Sequence, residues 1–286
     1  MSAASSPSSP APSPTWTVAP DLTVFALRTP TLPPATATNT VLVGEQPFIV
    51  DPATPHAAER ATLKAVIAAC RAAARAPRGI VLTHHHTDHV GAAAWLAAEE
   101  GLEIHAHRRT VALLAGKLAV DRELAAGDEL GGWCVLHTPG HASGHIVLHE
   151  PARGYLVVGD MVATVGTIVV DPPDGHMGSY LASLRALRAL RAEVVVPAHG
   201  APIVGADAVA AHFDHYLRHR EAREALVAAA LGDAPSPIAE ITRRAYPELA
   251  PPLLPLAARS ALAHLEKLAE EGRAEESPAG WRRCSR

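Results

Sequence analysis

The chain contains 286 residues with a formal net charge of −4 when histidine is neutral, and 48% of its residues are hydrophobic. No run of about 18 apolar residues offers a membrane span, and the small negative charge excludes a broad attraction to nucleic acid or anionic lipid. The three scattered cysteines have no CxxC spacing and indicate neither a disulfide framework nor a thiolate metal site. These features favour a soluble, cytoplasmic protein without a membrane partner.

Composition divides the chain into three parts. Residues 1–15, MSAASSPSSPAPSPT, are rich in Ser, Pro and Ala, do not resemble a secretory signal and are predicted to be disordered. Gly232, Pro235 and Pro237 end the helical pattern that precedes them. We therefore predict a large domain over residues 16–231 and a small C-terminal domain over residues 232–286.

The first predicted elements of the large domain are short apolar runs separated by Pro, Gly, Thr and Asn, which are typical of strands. These runs cover residues 22–27, 41–44 and 47–51. An alanine-rich helix follows over residues 56–76. The strand GIVLT at residues 79–83 then leads directly into the sequence HHHTDH. A cluster of histidines is thus expected at the end of a strand.

Three later strands also end beside a histidine or an aspartate. The strand that begins at residue 133 leads to His141, the hairpin over residues 145–160 ends at Asp160, and the strand that begins at residue 193 leads to His199. The other predicted elements are a strand over residues 102–107 and helices over residues 91–100, 177–192 and 206–231. Strand ends at one edge of a sheet sandwich converge, so we expect these side chains to meet.

Seven side chains at these positions are candidate metal ligands. They are His84, His86, Asp88, His89, His141, Asp160 and His199. Seven ligands exceed the need of one tetrahedral ion but suit two divalent ions that share a carboxylate and activate a water molecule as hydroxide. Because the donors are nitrogen and oxygen without a thiolate, zinc is expected first, and manganese or iron is also compatible.

The motif THHHTDHVG at residues 83–91 resembles the HxHxDH signature of the metallo-β-lactamase superfamily. The later segments TPGH (138–141), GD (159–160) and PAHG (197–200) resemble further motifs of that superfamily in the same order. The resemblance implies an αββα sandwich, a mixed α/β (α+β) fold. It also implies that one ion is held by His84, His86 and His141, a second ion by Asp88, His89 and His199, and that Asp160 bridges the two ions. A cysteine at the bridging position would resemble the lactamases that destroy antibiotics, and its replacement here by Asp160 disfavours β-lactamase activity.

Several other polar residues near these motifs are candidates for structural or orienting roles, and two of them have two open interpretations. His85 should point away from its neighbours because alternate residues of an extended segment face opposite ways. His145 either donates a proton in catalysis or orients the site through a hydrogen bond. Asp51, at the end of a strand, either orients a ligating histidine or caps a turn. Four histidines lack motif support and are expected to be structural: His105, His107, His137 and His149.

The C-terminal part resembles the lactamase-like protein 2 family. The segments HREAREALVAAAL (219–231) and ALAHLEKLAEEGRAE (261–275) are similar to its winged-helix-like extension, and MGSYLASLRAL (177–187) is similar to its helix beside the active site. This resemblance implies a winged-helix-like C-terminal domain, with Tyr180 near the substrate pocket as a candidate catalytic residue. Members of the family include RNA endoribonucleases and thioesterases.

These observations predict a dinuclear metal-dependent hydrolase that attacks a thioester or another small-molecule acyl ester, with Asp88 orienting the nucleophile. Hydrolysis of single-stranded RNA is the alternative reaction. Residues 233–286 contain eight basic and eight acidic residues and only two aromatic ones, Tyr246 and Trp281, whereas nucleic-acid modules are usually basic. The C-terminal domain is therefore expected to complete the substrate cleft or to pack against a second subunit in a homodimer. A nucleic-acid-binding regulator with a structural metal site and a non-catalytic scaffold are the remaining classes.

Overall fold

The computed structural model describes residues 14–284. Two β-sheets pack face to face with helices on both outer sides, and a small C-terminal unit follows. Most of the predicted disordered tail, residues 1–13, lies outside the described residues, and Thr15 already begins the first strand. Within residues 14–284, no helix is both long enough and apolar enough to cross a lipid bilayer.

The first sheet has seven strands that lie side by side in the order of the chain. Its first four strands are antiparallel, and its last four form a parallel set. The strands are β1 (Thr15–Ala19), β2 (Leu22–Arg28), β3 (Ala37–Val43), β4 (Phe48–Val50), β5 (Gly79–Leu82), β6 (Ile104–His107) and β7 (Arg122–Leu124).

The second sheet has six strands in reverse chain order, and only its β11–β12 pair is parallel. The strands are β8 (Glu129–Leu130), β9 (Trp133–His137), β10 (Ile146–Glu150), β11 (Tyr155–Gly159), β12 (Val194–Pro197) and β13 (Ile203–Val204). The helices of the sandwich are α1 (Ala57–Ala72), α2 (Thr87–Val90), α3 (Ala93–Glu100), α4 (Arg108–Leu114), α5 (Met177–Ala189) and α6 (Ala206–Ala230).

Strand residues alternate between an inner and an outer core. In β5, Val81 faces the second sheet, whereas Ile80 and Leu82 pack on the helices of the outer side. In β12, Val196 faces inward and Val195 faces α5 and α6. This period-two arrangement explains why these strands are continuous apolar runs, since both faces of each strand are buried.

The C-terminal unit is a winged helix. It contains α7 (Ile238–Ala245), a short 3₁₀ turn (Pro251–Leu253), α8 (Leu254–Glu270) and the hairpin β14 (Ala274–Ser277) and β15 (Gly280–Arg283). Leu265 and Leu268 are buried in its core, and Leu262 packs at the edge of that core. Val227 and Ala230 at the end of α6 belong to the same core, so α6 joins both units.

Candidate metal centre

Four strand ends bring the predicted ligands to one edge of the sandwich. His84 lies two residues after β5, Asp160 directly follows β11, and His199 lies two residues after β12. His141 lies in the middle of the loop between β9 and β10. The short helix α2 begins three residues after His84 and adds Asp88 and His89. We call the seven side chains the His/Asp cluster: His84, His86, Asp88, His89, His141, Asp160 and His199.

Three imidazole nitrogens converge in the first part of the cluster. The Nε2 atoms of His84 and His141 lie 3.2 Å apart, and each is 2.9 Å from Nδ1 of His86. His141 donates its Nδ1–H to the carbonyl oxygen of Val169 over 2.7 Å, so its Nε2 carries a lone pair. A triangle of this size fits an ion about 2.0 to 2.1 Å from each nitrogen.

The second part of the cluster brings together Asp88, His89 and His199. Nε2 of His199 is 3.8 Å from Oδ2 of Asp88. His199 donates its Nδ1–H to the carbonyl oxygen of Ala37 over 3.0 Å, which leaves its Nε2 as an acceptor. The hydroxyl of Thr31 donates to Oδ2 of Asp88 over 2.5 Å. The carboxylate of Asp88 is thus held by a loop that no sequence motif indicated.

Asp160 lies between the two parts. Its Oδ2 is 3.4 Å from Nε2 of His141, and its Oδ1 is 3.4 Å from Nε2 of His199 and 3.5 Å from Nε2 of His89. Oδ1 of Asp160 and Nε2 of His89 are buried without a hydrogen-bond partner among the described residues. Leaving such atoms unpaired is costly. A divalent cation on each side of Asp160 would satisfy both, so the donor set fits two metal ions.

The pKa values of the cluster describe its electrostatic field. Burial lowers the pKa of His84 and His141, and it lowers the pKa of His86 to about 3, so these three rings are neutral near pH 7. Burial also opposes a charge on His89, yet the carboxylates of Asp160 and Asp51 together raise its pKa above the usual value. The same negative potential that favours a proton at His89 favours a metal ion.

Asp51 orients two residues of the cluster region. Its Oδ2 accepts hydrogen bonds from Nδ1 of His89 over 2.7 Å and from the hydroxyl of Thr83 over 2.6 Å, and its Oδ1 accepts from the backbone N–H of Thr83. Asp51 has a φ of 49°, in the left-handed region that few non-glycine residues adopt. Of the two sequence interpretations of Asp51, the contacts support the orientation of a ligating histidine.

His145 is fully buried beneath the cluster and does not line the cleft. Its Nε2 accepts the backbone N–H of Asp160 over 3.1 Å, and its Nδ1 contacts the hydroxyl of Thr138 over 2.9 Å. Burial lowers its pKa well below the usual value. Both ring nitrogens of His145 are thus engaged inside the protein, and Nε2 contacts the backbone of Asp160.

The structure corrects the expectation for Tyr180. This side chain is fully buried, and its hydroxyl donates to the carbonyl oxygen of Met161 over 2.7 Å. It shares the inward face of α5 with Met177 and Leu184, because residues three to four positions apart lie on one side of a helix. Tyr180 therefore supports the fold next to the cluster and does not face the substrate pocket.

Two glycines allow close approaches that shape the cluster. A Cβ atom on Gly140 would lie 2.2 Å from Cα of Tyr180, so α5 packs directly on the loop that carries His141. A Cβ atom on Gly159 would lie 2.7 Å from Nε2 of His145. Both glycines have positive φ angles. Larger residues would displace the loops that hold His141 and Asp160.

The histidines without motif support lie outside the cluster, as expected. His107 and His137 stack on each other with ring centroids 4.1 Å apart, and His105 packs edge-on against Phe48. His149 lies on β10. His85 lines the cleft, with its Nδ1 3.8 Å from Asp174, and joins none of the three groups of converging ligand atoms found in residues 14–284.

A cleft of about 610 Å³ opens above the cluster. Its floor includes Asp88, His141, Asp160 and His199. Its walls come from the loop between β2 and β3, residues 165–171, the start of α8 in the winged helix, and Lys117 after α4. Sequence reasoning identified the floor and expected the C-terminal domain at the cleft, but it named no wall residue, because these residues belong to no motif and meet only in the folded chain.

Comparison with known proteins places the chain in a family. Residues 33–199 match the profile of the metallo-beta-lactamase superfamily, and residues 238–281 match the beta-lactamase associated winged helix domain. The chain therefore belongs to the metallo-beta-lactamase superfamily and is a metal-dependent hydrolase with a C-terminal winged-helix domain.

Individual relatives are similar over different lengths. A beta-lactamase-like protein 2 homolog of Drosophila melanogaster is 28% identical over 211 residues, which are 68% of this chain and 69% of the relative. This similarity is in line with the family expected from the C-terminal segments. A hydroxyacylglutathione hydrolase of Gloeobacter violaceus is 37% identical over 89 residues, which are 29% of this chain and 34% of the relative.

Solved structures share the architecture. A metallo-beta-lactamase family protein of Thermus thermophilus superposes with a TM-score of 0.74 and 25% identity, over 94% of this chain and all of the other. A protein crystallised in a di-iron-bound form superposes with a TM-score of 0.51 and 28% identity, over 62% of this chain and 94% of the other.

Proposed function

We propose that the protein is a dinuclear metallohydrolase that cleaves a thioester or another small-molecule acyl ester. One observation carries this proposal: Asp160 points one carboxylate oxygen at each of two sets of converging ligand atoms, and the oxygen toward His89 and His199 is buried without a hydrogen bond. A similar protein that is named a hydroxyacylglutathione hydrolase supports the thioester as the bond that is cleaved.

In this proposal His84, His86 and His141 would hold one ion, Asp88, His89 and His199 would hold the other, and Asp160 would serve both. When bound, the two ions supply Lewis acidity and make a water molecule nucleophilic near neutral pH. Zinc is the first choice for these nitrogen and oxygen donors, with manganese or iron as alternatives. The similar protein solved in a di-iron-bound form makes iron a metal to test.

The protein itself contributes orientation and charge. Asp88 lies in the cleft floor, where its carboxylate can accept a hydrogen bond from the attacking water. Thr31 holds that carboxylate by donating to Oδ2. Asp51 accepts the hydrogen bond of Nδ1–H of His89, and Nε2 of the same ring faces Asp160. These contacts arrange the ligands before substrate arrives.

The cleft walls favour a small acyl ester over single-stranded RNA. Among the described residues that line the cleft, the cations are Lys117 and Arg259, and none of the lining residues is Phe, Tyr or Trp. Proteins that bind single-stranded nucleic acid usually combine a basic groove with aromatic side chains that stack on bases. The described part of the cleft has no Phe, Tyr or Trp side chain on which a base could stack.

A parallel assay tests the proposal. The protein is loaded with zinc, manganese or iron and assayed against acyl-CoA, S-lactoylglutathione and single-stranded RNA, before and after chelation. We expect metal-dependent hydrolysis of a thioester, no cleavage of RNA, and recovery of activity when metal is restored. Cleavage of RNA without thioester hydrolysis, or activity that survives complete chelation, would contradict the proposal.

A further inference from the structure

The walls of the cleft carry apolar side chains that solvent can reach. Leu32 is 56% exposed and Val165 is 40% exposed, and both line the cleft above the His/Asp cluster. Leu256 of α8 adds further apolar surface to the same walls. Exposed apolar surface gathered around a polar floor is typical of a ligand-binding site. The walls are thus suited to an apolar group that reaches the floor.

The same cleft has an unpaired cation. Lys117 lines the wall, is exposed, and forms no ion pair within residues 14–284. Lys117 lines the same cleft as His85 and Asp88. Arg259 also lines the wall, but Asp171 pairs with its guanidinium. The wall therefore offers one positive charge that no carboxylate of the described chain neutralises.

We infer that the substrate is a thioester with an apolar acyl chain and an anionic carrier, with Leu32, Val165 and Leu256 contacting the acyl chain and Lys117 contacting the carrier. This inference rests on the proposed function and adds the substrate class to it. An apolar chain removes the exposed surface of Leu32 and Val165 from water, whereas a short hydroxyacyl group would leave that surface exposed. A phosphate or carboxylate on the carrier supplies the missing partner of Lys117.

Acyl-chain length tests the apolar walls. With acyl-CoA substrates from acetyl to octanoyl, kcat/KM should rise by about fourfold for each added methylene until the cleft is filled, as expected for methylene burial. In Leu32→Asn this dependence should become shallower. Leu226→Asn is the matched control, because Leu226 is similarly exposed, at 46%, but lies on α6 outside the cleft. A dependence that is flat, or equally steep in Leu32→Asn and wild type, overturns the assignment of the walls.

Thioesters with charged and neutral carriers test the role of Lys117. Lys117→Gln should raise KM about two- to fivefold for octanoyl-CoA and octanoylglutathione at low salt, as expected for an exposed ion pair, and should leave KM for the neutral thioester octanoyl-N-acetylcysteamine unchanged. If KM rises only for the CoA ester, Lys117 recognises phosphate. If KM rises equally for the CoA and glutathione esters, Lys117 accepts either a phosphate or a carboxylate. Lys64→Gln, on α1 and paired with Glu99, is the control. Equal KM changes for charged and neutral carriers, or no change for either, overturn the role of Lys117.

A binding measurement tests the ligand class independently of the proposed hydrolysis. Calorimetry with the thioethers S-ethyl-CoA and S-octyl-CoA measures the cleft without any reaction. The octyl compound should bind more tightly, and the advantage should shrink in Leu32→Asn. If thioesters are not hydrolysed but this preference is found, the proposed function fails and the ligand class stands. If thioesters are hydrolysed but the two thioethers bind alike, the ligand class fails.

Discussion

Two polar clusters of this protein balance their charges in different ways. In the α6–α8 cluster, Glu224 is 2.8 Å from Nζ of Lys267 and 3.0 Å from the guanidinium of Arg273, with the ring of His264 beside it. In the His/Asp cluster, Asp160 faces imidazole rings and no lysine or arginine contacts it among the described residues. Both clusters are polar, but in the described chain only the first places lysine and arginine side chains beside its carboxylate.

This difference separates a structural cluster from a functional one. A largely buried carboxylate is stable when a cation of the same chain pairs with it, as Lys267 does for Glu224. Oδ1 of Asp160 and Nε2 of His89 are instead buried without hydrogen-bond partners in residues 14–284, and the two atoms lie 3.5 Å apart. The His/Asp cluster is therefore the one of the two that divalent cations from solvent would complete. The number of histidines matters less than the direction in which their lone pairs point.

The largest effect is expected from Asp160→Asn. Removing the carboxylate that contacts both ligand sets should prevent binding of two ions and reduce turnover by about three orders of magnitude. Calorimetric titration of the apoprotein with zinc measures the number of ions bound. Glu224→Gln removes a charge of the same sign from the other cluster and should bind metal as wild type does. Two ions bound to Asp160→Asn with unchanged affinity would refute the bridging role.

A smaller loss is expected from Asp88→Asn. The change preserves size but removes the charge that orients the attacking water, so kcat should fall by about 10²-fold, while circular dichroism and thermal unfolding remain as in wild type. The assay is turnover of the best thioester at saturating metal. Near-normal kcat would show that Asp88 has no part in catalysis.

Asp51→Asn should act through His89. The variant weakens the hydrogen bond that holds Nδ1–H of His89, and loss of such a partner typically weakens metal binding by about 10- to 100-fold. Competition with a chelator of known affinity measures the change. Asp128→Asn, which alters a carboxylate that accepts from the backbone of Ala125, is the control. Equal metal affinities of the two variants would argue that Asp51 only supports the turn.

The smallest effect concerns the α6–α8 cluster. The neighbouring His264, Lys267 and Arg273 hold the pKa of Glu224 at about 2. Since this pKa is lowered in the folded state, the stabilisation is complete above the pKa of the unfolded chain, about 4.3, and is lost as the pH falls toward 2. Glu224→Gln should reduce the free energy of unfolding by about 1 to 2 kcal/mol at pH 7, allowing for solvent screening. Urea unfolding at pH 7 and pH 3 should show a smaller difference at pH 3. If the difference in unfolding free energy between wild type and Glu224→Gln is larger at pH 3 than at pH 7, this role of Glu224 is contradicted.

Much of the fold follows from local patterns. Strand β5 is a short apolar run that ends at the histidine motif, and the helix predicted over residues 206–231 corresponds to α6, which ends at Ala230. Elements with weak local signals are absent from the prediction. Strand β1 begins inside the predicted disordered tail, and α4 has only seven residues and directly follows β6. Short edge elements depend on packing against neighbours, so their own sequence carries little information about them.

The candidate site shows the same division. The seven cluster residues follow strands or lie in the motif of residues 84–89, so the sequence suffices to name all of them. The direction of each ring cannot be read in this way, because it depends on partners such as Val169 for His141 and Ala37 for His199. The helix motif predicts Tyr180 at the pocket, yet the motif does not specify which face of α5 is buried.

The sequence by itself determined the kinds of candidate ligand and their positions near strand ends, because residue type and strand periodicity are local properties. Only the tertiary structure decided which lone pairs converge, which carboxylate has no lysine or arginine of the described residues beside it, and which side chains form the walls of the cleft. These properties depend on contacts between residues far apart in the chain, such as Thr31 with Asp88 and Arg259 with Asp171. No local pattern records such contacts.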